Sequence, residues 1–472
     1  MSSGRTFVVA EIAIVLWILA SLVLFALLPP LRAFLLTYVV GILFLPVELH
    51  SGVDYVGSIA ISQSLHIDKL AACNIGVLFG TIFFAPHLIT RFRFHWVDAV
   101  YLAVVVGMFL TSLTNGLGAK DGLSNGVDNL RAFLPVIVLT RMHITSVTDL
   151  YQAMRALIAG ALVYSVICII EFRFAPQLHR MVYGYFQHSF DQFMRYDHFR
   201  PAGFLRHAIE LSFFMGTTAA LAAWLWFKGM LRSMWGLPGW AVAAALVFGL
   251  TLTMTFAGYA AFLICCTMFG ASLLLRTRWI LVILPMLAIG WMAGRYFNVI
   301  DASSLLQAAA YLDPHRSESL EYRLEAERLN LVSASESLLL GKSAQQAIAV
   351  HDDGSVVMAV DAWWLVTFTF YGLVGLGGWY LVWSAGLLSA FFKWRQLTPD
   401  VRILSIAVAV LIGAQFIDFL FNSFPSVLLL ILDMGLVGAV QHYKPMPAIA
   451  PWMMMQQEPP VPEVIPQGVP GL

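Results

Sequence analysis

Long apolar runs separated by short polar connections dominate the 472-residue chain. They fall near 7–28, 33–48, 70–86, 96–114, 130–142, 151–171, 208–227, 239–255, 258–275, 279–297, 362–384, 403–421 and 424–441. Most match the roughly twenty residues that an α-helix needs to cross a bilayer. The runs are continuous rather than alternating, and lipid cannot hydrogen-bond an open backbone, so helices and not barrel strands are expected. The pattern predicts an all-α polytopic membrane protein with about 12–13 transmembrane helices. Two runs, 33–48 and 130–142, are short enough to be re-entrant or tilted. The first, Phe7 to Leu28, lacks a small-residue cleavage pattern before Pro29-Pro30 and reads as a helix rather than a signal peptide.

Connections carrying Arg32, Arg91/Arg93, Arg141, Lys228/Arg232, Arg276/Arg278, Lys393/Arg395/Arg402 and Lys444 alternate with connections such as 115–129 and 422–426, which hold only Lys120. The basic set is expected on the cytoplasmic side. Two long loops, 172–207 and 298–360, then fall outside. Parity also places the N-terminus outside, although Arg5 argues the other way. Residues 1–444 form the helical domain, and 445–472, with eight of the twenty prolines, read as a disordered tail.

Composition sharpens this picture. Hydrophobic residues make up 60 % and charged residues 11 %, and mean hydropathy is +0.80; the bilayer is the main solvent. Net charge is zero, so no nucleic-acid partner is expected and any electrostatic function depends on where the charges lie. Cys73, Cys168, Cys265 and Cys266 all sit in apolar runs and read as small buried hydrophobes. The histidines form no metal-ligand cluster, Asp352-Asp353 near His351 being only a weak hint, and no Walker-type glycine motif occurs. Neither metal nor nucleotide cofactor is expected.

The candidate chemistry lies in the long loops. Arg195, His198, Arg200, Arg206 and His207 gather at the end of the first, just before the run at 208, as a cradle for an anion; arginine grips phosphate with a rigid, permanently charged fork. Snorkelling to lipid headgroups is the alternative for Arg200 and Arg206. His207 and Glu210, three apart, can pair with each other. The second loop predicts an amphipathic helix over Glu318–Leu340, with Leu320, Leu324 and Leu331 on one face and Arg323 paired to Glu327 at i, i+4. Pro314 is expected to break the chain ahead of it and Gly341 to end it. Arg316, Arg323 and Arg328 either balance the acids of this loop or bind an anion. Asp361 precedes a run opening with Trp363-Trp364 and suits either an N-cap or a general base. Asp418 and Asn422, one turn apart in an apolar run, point to a buried polar role, with Asp418 bonded to a neighbouring helix.

Several of these stretches resemble the bacterial O-antigen ligase and Wzy-type polysaccharide polymerase group. The similarity rests on Arg200-Pro201-Ala202-Gly203 with His207, on Ser319 to Arg323 through Glu327, on Asp361-Ala362-Trp363-Trp364 followed by Tyr371-Gly372-Leu373-Val374-Gly375-Leu376, and on Asp418 to Pro425. It covers about residues 170–440. The resemblance implies an enzyme of the bacterial cytoplasmic (inner) membrane that polymerises or transfers a polyprenyl-diphosphate-linked glycan at the external face, without metal, alongside other polysaccharide assembly and export proteins. Ligases carry a histidine where this chain has Asp361, a departure shared with exopolysaccharide polymerase-like members, and members of the group often carry a proline-bearing turn where it has Leu338-Leu339-Leu340-Gly341-Lys342-Ser343; both departures weigh against ligase activity and favour a polymerase. On this reading Arg200 and Arg323, with Arg206 and Arg328, bind the diphosphate. Asp361, or else His207, takes the proton from the acceptor hydroxyl, and Tyr183, Tyr185 and Phe186 stack on sugars. Two competing classes remain. A transporter or flippase for an anionic or lipid-linked substrate would want charged pairs deep in several helices, where only Asp418 and Asp98 are candidates. A scaffold subunit of an export complex would leave the arginines dispensable.

Overall fold

The computed structural model describes residues 3–51, 54–60, 66–195, 197–312, 314–343 and 361–443. Among them are seventeen α-helices and four two-stranded antiparallel ribbons. The chain opens with α1 (Ser3–Leu27), α2 (Pro30–Phe44), α3 (Lys69–Phe84), α4 (Trp96–Thr114), α5 (Ala119–His143) and α6 (Val147–Phe174). The first long loop holds the short α7 (Leu178–Tyr183). It leads to α8 (Ala208–Phe227), α9 (Gly239–Leu252), α10 (Phe256–Leu275) and α11 (Ile283–Tyr296). The second holds α12 (Ser303–Leu312) and α13 (Pro314–Ser335). The described chain closes with α14 (Trp363–Trp383), α15 (Ala385–Lys393), α16 (Pro399–Asp418) and α17 (Val427–His442).

Each apolar run falls on a helix. Seven helices, α1, α4, α6, α8, α10, α14 and α16, are long and apolar enough to cross a membrane, and α2, α3, α9 and α17 are shorter apolar helices. The outward faces are apolar too. On α1, Ile12, Leu16, Leu19 and Val23 stand exposed at three- and four-residue intervals, as do Leu102, Val106, Leu110 and Leu113 on α4. Water would penalise such faces and lipid does not. The molecule is therefore an all-α multi-pass membrane protein. At its centre α17 is buried from Leu428 to Val440.

Three expectations about the elements change. The run at 130–142 is not short: it is the second half of α5, whose polar first half begins at Ala119 and docks on α4 where Ser112 donates to Asp121 (2.7 Å). Pro314 opens α13 rather than breaking ahead of it, since the first helical residue has no use for an N–H. That helix ends at Ser335, before Gly341.

Gly341 serves another end. Inside α14, Gly372 (φ +62°) breaks the helix, and Leu338–Ser343 supplies the lost hydrogen bonds. Lys342 and Ser343 N–H donate to the Thr369 and Phe370 carbonyls (2.8 and 3.0 Å), while Leu373 and Val374 N–H donate to Leu338 and Leu339 (2.9 and 3.2 Å). Asn115 and Thr111 of α4 hold the same segment through the Gly341 and Leu340 carbonyls. Non-helical backbone at this depth survives only when protein satisfies it.

The basic connections meet at the end of the bundle away from the long loops. Arg141 pairs there with Asp98, Gln441 donates to the Arg93 and Phe94 carbonyls (both 3.1 Å), and Lys393 donates to Val440 (3.0 Å). Asp98 also accepts from His95 N–H (2.8 Å) as part of the α4 cap, so it is a helix-end group and not a charge deep in the membrane.

Candidate functional site

The Arg200 segment is shaped by a carboxylate that the sequence reading passed over. Glu171, fully buried near the end of α6, accepts from Ala202 and Gly203 N–H through one oxygen (2.9 and 2.7 Å) and from Leu178 N–H through the other (3.2 Å). This pins the Arg-Pro-Ala-Gly turn against the helix. Arg200 is itself buried: Nε and Nη2 donate to Thr255 Oγ1 (3.2 and 2.9 Å) and Nη1 donates to the Gln192 carbonyl (3.2 Å). Arg200 therefore contributes a fixed positive charge with its hydrogens committed, rather than a free fork.

His207 caps α8. Its Nδ1 accepts from Ile209 N–H (3.0 Å), which fixes the ring as the neutral tautomer with hydrogen on Nε2. The ring stacks on Phe424 (5.6 Å, 17°) and meets His188 edge-on (4.8 Å). Burial, then the charges of His188, Arg200, Arg323 and Arg195, push its pKa down to about 3. The lone pair that a base needs is spent on the cap, so His207 offers a donor instead. Glu210 does not pair with it, and accepts from Arg206 N–H (2.8 Å).

Across from this turn, Arg323 of α13 donates through Nε to Asp361 Oδ2 (3.1 Å). The two are half-buried, at 28 % and 43 % side-chain exposure. Neither expected partner holds. Glu327 turns inward to Arg295 of α11 (Nε–Oε1 2.5 Å), because burial raises the cost of its charge and pushes its pKa up. Asp361 is not an N-cap: Ala362 holds that position without a side-chain bond, and the first N–H groups of α14, on Trp363 and Trp364, donate to the Asn422 and Phe419 carbonyls (3.1 and 3.4 Å). The end of α16 does the capping and leaves Asp361 free to face Arg323. Among the described residues, the Arg323 terminal nitrogens have no hydrogen-bond partner.

The turn that caps α14 is itself polar. Asp418 accepts from Asn422 Nδ2 (2.6 Å) and Gln415 Nε2 (3.5 Å), so it bonds within its own segment rather than to a neighbouring helix. Gln415 Oε1 in turn accepts from Ser426 N–H (3.2 Å). A crevice of about 10 Å³ lies between Arg323, Glu327, Asp361 and Phe421. A larger cavity, about 300 Å³, is lined by Arg206, Glu210 and Phe424, the ring that stacks on His207.

Arg323 thus pairs with Asp361, and His207 lies within electrostatic reach of Arg200 and Arg323, while other expected residues stand apart. Arg328 stands exposed and grips Glu325 on its own helix (2.7 Å). Arg206 faces the larger cavity. Tyr183 and Tyr185 donate to the Phe44 and Val47 carbonyls (2.8 and 2.6 Å) and so tie their loop to the end of α2, while Phe186 lies under Arg180 (5.0 Å). Residues 344–360, including His351, Asp352 and Asp353, the Arg316 side chain and the tail from 444 lie outside the described residues. Glu171, Thr255 and Arg295 are the positioning groups that sequence reasoning missed; their only signal was a polar residue at the end of an apolar run. No family model and no curated protein sequence matches this chain.

Proposed function

We propose that the protein is a membrane glycosyltransferase that polymerises or transfers a polyprenyl-diphosphate-linked oligosaccharide at the external face of the bacterial cytoplasmic membrane. The observation that carries this reading is the Arg323–Asp361 pair, whose guanidinium is engaged through Nε alone among the described residues. The remaining nitrogens can take a diphosphate oxygen pair while the carboxylate stays alongside. In the step proposed, the acceptor hydroxyl loses its proton to Asp361 as its oxygen bonds to the anomeric carbon. The bond from that carbon to the diphosphate breaks, its electron pair leaving on the diphosphate oxygen. Arg323 binds that charge directly, and buried Arg200 favours it through space. Gathering of the basic connections at the other end of the bundle supports the external assignment of this face. The transporter reading finds less support, because Asp98–Arg141 is committed to a helix end and Asp433 accepts from Gly386 N–H (3.1 Å).

The test is reconstitution of the purified chain with a lipid-diphosphate oligosaccharide. Wild type is expected to lengthen or transfer the glycan with excess chelator present. Arg323→Ala is expected to lose product and Arg323→Lys to recover it poorly, since a point charge lacks the fork. Full activity in the alanine variant would remove Arg323 from the mechanism.

A further inference from the structure

A cavity of about 300 Å³ with a charged lining opens at the start of α8, beside Arg206 and Glu210. It has the size of the smaller small-molecule sites, which span about 300–1,000 Å³. Its walls come from four helix ends at the long-loop face: the C-terminal end of α2 and the N-terminal ends of α3, α8 and α17. Its charged lining is Glu48, Asp68, Lys69, Arg206 and Glu210, three carboxylates against two cations, with Ser423 and Ser426 beside them. Phe213, Phe214 and Phe424 supply ring surface.

The hydrogen bonds show what the space wants. Asp68 spends one oxygen on the α3 cap, accepting from Ala71 N–H (2.8 Å). Lys69 donates to the Ile42 carbonyl (3.1 Å), which leaves ammonium hydrogens over. Glu48 Oε1 is buried with no partner, and a buried acceptor without a donor is costly. Arg206 stands exposed at the rim. A diphosphate would meet three carboxylates here and be repelled. A ligand rich in hydroxyls, each both donor and acceptor, satisfies carboxylates and cations together, and sugar C–H faces pack on aromatic rings.

We propose that this cavity binds a neutral saccharide and rejects acidic sugars. The turn after α16 gives Phe421 to the Arg323–Asp361 crevice and Phe424 to this cavity, so charge sorts the two substrates: the anionic donor goes to the arginines and the uncharged acceptor to the carboxylates. The name acceptor rests on the glycosyl-transfer reading. The binding site does not, and it is measured without turnover.

The experiment titrates the full chain in nanodiscs with methyl glycosides of glucose, galactose, mannose and N-acetylglucosamine, and with methyl glucuronide, following saturation-transfer NMR. At least one neutral glycoside is expected to bind saturably, with the glucuronide about tenfold weaker or more. Glu48→Gln is expected to weaken the neutral ligand and narrow that discrimination. Ser423→Trp, which places a bulky ring on the cavity lining, is expected to abolish binding while the protein stays monodisperse. The proposal is overturned if no glycoside binds, if the glucuronide binds as well as the neutral sugars, if Ser423→Trp binds normally, or if phosphatidylethanolamine added to the discs displaces the sugar by occupying the cavity. Binding that persists in a protein with no transfer activity would sink the acceptor role and leave the saccharide site standing.

Discussion

His207 illustrates how one side chain can be read in two ways until its hydrogen bonds are known. In the sequence it is a candidate base; in the fold its Nδ1 is an N-cap. A cap of this kind is typically worth about 1 kcal/mol, and asparagine caps equally well. The pH consequence follows from its pKa, held near 3 against an ordinary 6.5. Between these values the unfolded chain binds a proton that the folded chain refuses. The stability that His207 contributes is therefore complete above pH 6.5 and lost as pH falls towards 3. His207→Asn is expected to leave the neutral-pH melting temperature nearly unchanged and to flatten its fall between neutral and mildly acid pH. Parallel melting curves for the two proteins would show that His207 is not held neutral.

At the scale of elements, α14 is the informative case. Its interruption comes from an interlock of two glycines, because a Cβ on Gly372 would stand 2.3 Å from the Leu339 backbone and one on Gly341 would stand 2.5 Å from Phe370 and Tyr371. The interlock sets the register of α13 over the start of α14 and so brings Arg323 to Asp361. Alanine at 372 incurs about 1–3 kcal/mol from the torsion alone, before the clash. Gly377, further along the same helix, has open space around it. Gly372→Ala is accordingly expected to lower the melting temperature and detach the loop, whereas Gly377→Ala is neutral or slightly stabilising. Equal behaviour of the two variants would refute the interlock. Which runs become helices was legible from apolarity alone. The break at Gly372 was not, since a glycine in a glycine-rich run carries no sign of the partner backbone that needs it.

For the whole molecule, the bilayer dictates most of what could be read beforehand: all-α architecture, multiple spans and exposed apolar faces follow from the rule that lipid must not meet an unpaired backbone. The site was legible only as a set of residues at helix ends. Arg200, His207, Arg323 and Asp361 were legible as candidates, but their bonding was not, because Glu171, Thr255, Arg295 and the Asn422 carbonyl come from other segments and take over the local pairings that spacing suggests. Glu327 goes to Arg295 and the α14 cap goes to α16. Among the described residues these long-range substitutions leave Asp361 only a half-exposed ion pair with Arg323, which contributes at most about 1 kcal/mol. The central claim is that Asp361 accepts the acceptor's proton, and Asp361→Asn in reconstituted protein tests it most directly. Asparagine keeps an oxygen for Arg323, so melting temperature and donor binding are expected to hold while turnover falls by about 10²- to 10⁴-fold; an asparagine variant that makes polymer at the wild-type rate would contradict the account.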